Sequence, residues 1–235
     1  LSTRSFFEFW KNHHLLQIKN RPKWNTIVGG SNTYITKIKE VLSANIRLNE
    51  PATSVKRKEG SVSVTLKSKE VIKSDYVVMA VHADQACQLI QDPTPEEKRV
   101  LSPWKYTKNT AVLHTDDTVM PPSRSAWASW NVKQSGQQST LECTYYMNKL
   151  QNVSTDTNYF VTLNGHDKLD NSKIIREINY EHPNYTVETV ATQRGLSQIN
   201  GENNTYFVGS YMSNGFHEAA TQSAYKVASL LGVSS

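Results

Sequence analysis

Two short apolar runs constrain this fold more than anything else in the chain. Residues 75–81 read Asp-Tyr-Val-Val-Met-Ala-Val, and residues 205–209 read Thr-Tyr-Phe-Val-Gly. The first does not alternate apolar with polar residues, which predicts a strand covered on both faces in a mostly parallel sheet, and the second shares its style. From Tyr106 to about Tyr180 the pattern is different. Residues 110–114, 126–131, 140–147, 159–163 and 173–178 are β-rich and are separated by Asp, Asn, Gly and Pro clusters. Two segments of one style around a different middle predict one domain inserted in another. Residues 26–82 with 203–235 are expected to form the first, and residues 1–25 with 83–202 the second.

The second apolar run leads into the most informative local pattern. It stops at Gly209, the chain turns at Gly215, and a helix starts near His217 and continues to Leu231. Ala220, Ala224, Val227, Ala228 and Leu231 recur at helical spacing and give that helix a smooth face for a sheet or a flat ligand. Its first-turn N–H groups and positive dipole end point back at the loop. A strand, a glycine loop and a helix N-terminus together suit an anionic or electron-rich group.

Elsewhere, residues 5–18 are aromatic and mildly amphipathic, predicting a helix before a turn at Pro22. Ser31 is expected to cap a second helix whose apolar stripe is Tyr34, Ile35, Ile38, Val41 and Leu42. Before it stands the Gly29-Gly30 pair, where backbone can approach another group closely. Residues 53–58 and 61–67 read as two strands joined at Glu59-Gly60, with Val62, Val64 and Leu66 on one face. A helix follows His82, another starts at Thr94-Pro95-Glu96-Glu97, and a third covers residues 187–199. No fixed-period repeat is present.

The formal charge of +5 comes from scattered lysines and arginines. The densest groups, Lys56-Arg57-Lys58 and Lys19/Arg21/Lys23, are too short for a nucleic-acid arm and read as solvated surface, so no nucleic-acid partner is expected. No apolar run approaches the ~20 residues of a membrane span. Cys87 and Cys143 read as free thiols in a reducing compartment, which implies a cytoplasmic location. No secretion leader is visible, and the opening Leu1 implies a true N-terminus further upstream.

Several segments resemble the second part of a flavin-containing amine oxidase-type protein. They are Arg21-Pro-Lys-Trp-Asn-Thr-Ile-Val-Gly-Gly-Ser31, Val81-His-Ala-Asp-Gln-Ala86, Val112-Leu-His-Thr-Asp116 and Ser125-Ala-Trp-Ala-Ser-Trp-Asn131. Tyr146-Met-Asn-Lys-Leu-Gln151, Phe160-Val-Thr-Leu-Asn164 and Gly209 through Glu218 continue the series in order. The chain resembles a bacterial subfamily of NAD/FAD-binding oxidoreductases, related to the region fused ahead of plant cyclopropane fatty acid synthases.

This resemblance implies an α/β (α+β) fold: part of an FAD/NAD(P)-binding sheet domain carrying an inserted, mainly antiparallel β substrate domain. It implies FAD as cofactor and hydride transfer from a substrate C–H to the flavin. Gly29, Gly30 and Ser31 would open the helix leading into the cofactor-binding half. Ala52 stands where the wider group has the valine of a Pro-Val pair whose backbone meets adenine. Ala80 and Val81 would end the strand beside the adenosine, with His82 next in the chain. Gly209 and Ser210 would approach the ribityl-pyrophosphate side. After the Gly215 turn, Phe216, His217 and Glu218 would put backbone under the pyrimidine edge, where reduced flavin gains negative charge. The family's G-x-G-x-x-G strand–turn–helix does not occur in these residues. The N-terminal dinucleotide-binding βαβ is therefore absent, and the chain is expected to be part of a longer protein.

The remaining candidates divide between chemistry and packing. His82 reads as a ligand contact or as the cap of the following helix; His217 and Glu218 offer backbone more than side chains. His114 with Asp116 and Asp117 lacks metal-site spacing, and His13-His14 read as surface. Trp127, Trp130, Tyr145, Tyr146 and Tyr159 are either walls of a substrate pocket or core. Lys105 and Lys149 are the lysines nearest to a flavin role, and no catalytic residue can be assigned. A small-molecule or lipid-like substrate is expected, with self-association or pairing with a missing N-terminal half. The alternative is a non-catalytic flavin-fold subunit or scaffold.

Overall fold

The computed structural model describes residues 3–12, 14–19, 25–42, 45–135 and 140–233. The Pro22 turn, His13, Arg21 and Lys23 lie outside them. The helices are α1 (Thr3–Asn12), α2 (Asn32–Val41), α3 (Ala83–Leu89), α4 (Pro95–Leu101), α5 (Met147–Leu150), α6 (Val187–Gln198) and α7 (His217–Leu230). The strands are β1 (Ala52–Lys58), β2 (Ser61–Leu66), β3 (Val71–Ser74), β4 (Val77–Met79), β5 (Tyr106–His114), β6 (Trp130–Ser135), β7 (Thr140–Tyr146), β8 (Phe160–Leu163), β9 (Ile174–Pro183) and β10 (Thr205–Phe207). The mixed α/β architecture expected from the sequence is present.

The described residues fall into two compact units. The first draws on Leu1–Pro22, Ala44–Tyr106 and Pro183–Ser235, and the second on Lys23–Ser43 and Thr107–His182. These packing units have other boundaries than the cofactor and substrate regions expected from the sequence. Residues 83–106 and 183–202 pack with the first unit, and the segment holding Gly29–Ser31 groups with the second.

In the first unit, β1, β2 and β3 form an antiparallel meander, and β4 pairs with β10 in parallel. Val62 and Leu66 of β2 are buried, as the alternating pattern requires. β3 is a strand that the sequence reading missed, because Val71 and Ile72 alternate with nothing and stand exposed. β10 is buried throughout, whereas β4 leaves Val78 45% exposed and so is covered on one face only. One core joins Val55 and Val62 to Met79, Ala83, Leu101, Trp104, Leu196 and Phe207. The face expected of α7 holds in part, with Val227 buried and Ala220 and Ala228 half-buried. Ser223 and Val227 are its buried residues, while Ala224 and Leu231 are exposed.

Arg57 ties this unit together and corrects the solvated reading of Lys56-Arg57-Lys58. Its side chain is only 2% exposed and forks onto Glu97, at 2.5 Å from Nη1 and 3.0 Å from Nη2. Its Nη2 also donates to the Asp92 carbonyl at 2.6 Å. Glu97 is the third residue of α4 and closes the expected capping box. Its Oε2 accepts the Thr94 N–H at 2.8 Å, while Thr94 Oγ1 accepts the Glu97 N–H at 3.1 Å.

In the second unit the strand order is β6-β7-β8-β5-β9. The expected strand over 126–131 is instead a 3-10 turn (Arg124–Ala126) followed by β6. One sheet face buries Val112, His114, Phe160 and Thr162. The His114 ring accepts the Asp116 N–H at Nδ1 (3.1 Å), so Nε2 carries the proton toward Thr162 Oγ1 at 2.8 Å. Thr162 in turn meets Thr144 Oγ1 at 2.8 Å. Burial holds the His114 imidazole below its ordinary range, against the pull of Asp116. Asp116 accepts from the Thr118 N–H and hydroxyl, the Asp170 N–H and the Lys173 ammonium. Burial pushes its carboxyl up, but these donors outweigh it and hold it at about 2.

Two outcomes follow. Glu97→Gln leaves the buried Arg57 with only the half-exposed Asp92 carboxylate, 3.3 Å from Nε, as counter-charge and is expected to cost about 3 kcal/mol in urea unfolding, with Arg57→Met/Glu97→Leu recovering most of that loss. Asp116 has a folded pKa below its ordinary 3.8, so its contribution is complete above that value and is lost as pH falls toward 2. Asp116→Asn should therefore flatten the acid limb of a stability–pH curve in that window, and an unchanged limb would refute this.

Candidate functional site

The parallel register of β4 and β10 pairs Val77 with Thr205 and Met79 with Phe207, so both strands end at the same edge. Ala80 and His82 leave one strand there, and Gly209 and Ser210 leave the other. Carboxyl ends of parallel strands are where α/β sheets meet ligands. His82 precedes α3 without capping it through its side chain. Its ring instead stacks on Tyr106 at 4.0 Å, and the Tyr106 hydroxyl accepts the Ala83 N–H at 3.0 Å. Burial pushes the Tyr106 phenol up to about 12, so it stays protonated.

The loop from Gly209 to Phe216 is clamped from three sides. The Gly209 N–H donates to Ser223 Oγ of α7 at 2.9 Å, and that hydroxyl donates to the Ala220 carbonyl at 2.6 Å. Gln193 Nε2 of α6 donates to the Tyr211 and Ser213 carbonyls at 3.0 and 2.7 Å. The Tyr185 hydroxyl donates to the Ser210 carbonyl at 3.3 Å. A Cβ on Gly209 would lie 2.6 Å from the Tyr211 ring, and one on Gly215 (φ +83°) would lie 2.9 Å from Tyr185 Oη. Both glycines thus seat tyrosines beneath the loop. The Tyr211 hydroxyl is buried with no hydrogen-bond partner among the described residues, and burial holds its proton on well beyond the ordinary range.

α7 begins with its N-terminus uncapped by any side chain, after Phe216 in an extended conformation. Phe216 stacks on Phe9 of α1 at 5.5 Å, and Gln222 Nε2 holds Glu218 at 2.7 Å. The first-turn amides, from His217 onward, supply donors and a positive dipole end. A cavity of about 990 Å³ runs alongside, lined by Asn200, Asn214, Phe216, Glu218 and Lys226 among others. Its size is that of a small-molecule site. An uncapped helix end at such a cavity fits the electron-rich pyrimidine edge of a flavin. The diphosphate of a dinucleotide needs the glycine-rich fingerprint that these residues lack.

The other expected positions lie apart from this edge or in the second unit. Ala52 opens β1 beside an irregularity in its pairing with β2. Gly29 and Gly30 form a turn, with the Gly30 N–H on the Ile27 carbonyl at 2.9 Å. Ser31 precedes α2 with a helical backbone and makes no side-chain cap, contrary to expectation, and α2 buries none of its residues. Trp127 and Tyr146 pack on Phe160 at 5.7 and 5.5 Å as core. Trp130 and Tyr145 pair on the opposite sheet face, and Tyr159 lines a groove there. Lys149 Nζ reaches the Trp127 carbonyl at 3.3 Å, and Lys105 is an exposed residue whose carbonyl accepts the Asn184 N–H. His114 and Asp116 spend their lone pairs on protein donors. Ser223, Gln193 and Tyr185 were not singled out from sequence, where isolated polar residues carry no pattern.

A parallel strand edge, a clamped loop and an uncapped helix N-terminus beside a cavity are features found in cofactor-binding α/β proteins. A family-wide profile for flavin containing amine oxidoreductases matches residues 4–147, and the chain belongs to that family. Among solved structures it is similar to a CLA-producing fatty acid isomerase from P. acnes, at 14% identity and TM-score 0.58, covering 86% of this chain and 52% of that one. It is also similar to a proposed protoporphyrinogen oxidase from Exiguobacterium sp. 255-15, at 14% identity and TM-score 0.64, covering 97% and 58%. A putrescine oxidase variant matches at 12% identity and TM-score 0.60, covering 88% and 54%. At these identities the likeness is one of fold, and the chain spans about half the length of the structures it matches. No curated protein matches.

Removing the Ser223 hydroxyl strips the Gly209 N–H of its acceptor, an expected cost of about 1–3 kcal/mol. Ser223→Ala should speed hydrogen exchange at the Gly209 amide far more than at Val227. Equal effects at both would show that the loop is not held through this contact.

Proposed function

We propose that this chain is part of an FAD-dependent oxidoreductase of the amine oxidase-like class, in which hydride passes from a substrate C–H to the flavin. The observation that carries the reading is the uncapped α7 N-terminus beside a cavity that runs along the helix, in a chain of a flavin family. Bound there, the flavin would accept two electrons and leave negative charge at its pyrimidine edge. The amides of His217 and Glu218 would hold that edge and stabilise the charge through hydrogen bonds and the helix dipole. Phe216, held against Phe9, would shield it from water. Gly209 and Ser210, locked by Ser223 and Tyr185, would set the distance between strand end and cofactor. Ala80, His82 and Ala52 are assigned to the adenosine side, and Gly29, Gly30 and Ser31 to the entry of the cofactor-binding half.

In this reading the diphosphate cradle comes from a further polypeptide segment, and the chain is a piece of a longer protein related to the region ahead of plant cyclopropane fatty acid synthases. We assign it to the cytoplasm on its two free thiols, which burial keeps protonated. Among the described residues, no helix is long and apolar enough to cross a membrane.

The test is a titration of FAD fluorescence with the chain and two variants. Saturable but weak quenching is expected, because the diphosphate is not held. His217→Pro removes one N–H at the first helical position, where proline is tolerated, whereas His217→Ala keeps it. Proline should weaken the quenching and alanine should not. No saturable quenching, or equal loss in both variants, would overturn the assignment of the helix end.

A further inference from the structure

One face of the second unit's sheet is buried and mixes Val112 and Phe160 with His114, Thr162 and Thr144, while the other face is apolar. Two rows run across four strands on the outer face. Trp130, Tyr145, Val161 and Leu113 form one, and Val132, Cys143, Leu163 and Ala111 form the other. The opposite face carries the buried His114–Thr162–Thr144 chain. A sheet with one wet face normally turns its polar residues to water. Here Trp130 and Val132 of the edge strand β6 are 54% and 64% exposed, while Leu113, Val161 and Leu163 are half-buried and Ala111 is buried. An apolar face of this kind marks a place where something binds.

The outer face holds a groove of about 400 Å³ where β8, β5 and β9 meet α5. Leu113, Met147, Val161 and Ile178 supply apolar walls, and Gln151 and Arg176 supply polar groups. Arg176 is the groove's single charged residue, and no acidic side chain lines it. The other paired arginines show what a guanidinium here lacks: Arg47 has Glu70, Arg57 has Glu97 and Arg99 has Glu96. Arg176 has no carboxylate partner among the described residues. The neighbouring Glu177 projects to the other side of the strand and is held by His166 at 2.8 Å. An apolar groove with one uncompensated guanidinium is complementary to an apolar chain ending in a carboxylate, since guanidinium and carboxylate pair bidentately. The same charge repels an amine.

We propose that this groove binds a medium-chain aliphatic monocarboxylate, with the chain along Val161 and Leu113 and the carboxylate on Arg176. As the substrate class of the proposed oxidoreductase this rests on the reading above; as a binding site it does not. Calorimetric titration of the full chain with decanoate, decanol and decylamine, each below its aggregation limit, tests it. Decanoate is expected to bind about tenfold tighter than decanol, the ratio one charge-assisted hydrogen-bond pair supplies, with decylamine weakest. Arg176→Gln should erase that preference and leave decanol unchanged. Val161→Trp, checked for retained folding by circular dichroism, should fill the groove and abolish binding of all three. Equal affinities, an Arg176→Gln variant that keeps the preference, or no binding at all would each overturn the proposal. The two readings fail separately, because decanoate binding is measured without flavin and flavin quenching without decanoate.

Discussion

Glu97 does two jobs in one place, and the first unit depends on both. As the third residue of α4 it closes the capping box that starts the helix. As a fully buried carboxylate it neutralises Arg57 of β1. Taking two charges out of water is costly, and a buried pair survives only when its remaining donors and acceptors are also satisfied. Here the Thr94 N–H and the Asp92 carbonyl complete the network. The pair fixes where α4 starts relative to the meander, and α4 packs on α6. Gln193 of α6 then clamps the loop that leads to α7. The helix end proposed to face the flavin is thus positioned through a chain of contacts that begins at a salt bridge.

The capping box was legible from Thr94-Pro95-Glu96-Glu97 because a cap is a local event with a fixed spacing. Its buried partner was not. Arg57 sits in a lysine-rich triplet, and nothing local distinguishes a guanidinium that points into a core from its solvated neighbours. The same limit explains Ser31, which has a capping residue's identity but a helical backbone and no side-chain cap. Strands with clear alternation were readable, and β2 is the clearest case. β3 was lost because its apolar residues stay exposed. The carboxyl edge of the parallel pair was visible as two apolar runs. That Gly209 and Gly215 serve two tyrosines needed coordinates, since a glycine's missing Cβ does not say which group takes the space.

The second unit shows how one sheet can read as amphipathic and yet bury polar residues. Alternation along β8 puts Phe160 and Thr162 on one side, and Val161 and Leu163 on the other. Sequence assigns neither set to the interior, because period two defines faces and not which of them is wet. The set with the polar residues is buried here because they satisfy one another: His114 to Thr162 to Thr144, with Asp116 bracketing the end of β5. Each of these side chains has a hydrogen-bonded neighbour, which lowers the cost of burying it. That leaves the apolar set outward.

Affinity and tuning of a flavin are separable tasks in such a chain. A glycine-rich strand–turn–helix holds the diphosphate and so supplies most of the binding, but it lies far from the atoms that change charge on reduction. An uncapped helix N-terminus contributes little grip, yet it sits where charge develops and favours the reduced state over the oxidised one. In the function proposed above, the residues present here are of the second kind. They are also rigidly held, by Ser223, Gln193 and Tyr185, before any ligand arrives. Preorganisation of that sort matters for charge stabilisation, because dipoles already in place need not reorganise when the electrons move. A chain can therefore carry the electrostatic half of a flavin site without carrying the half that retains the cofactor.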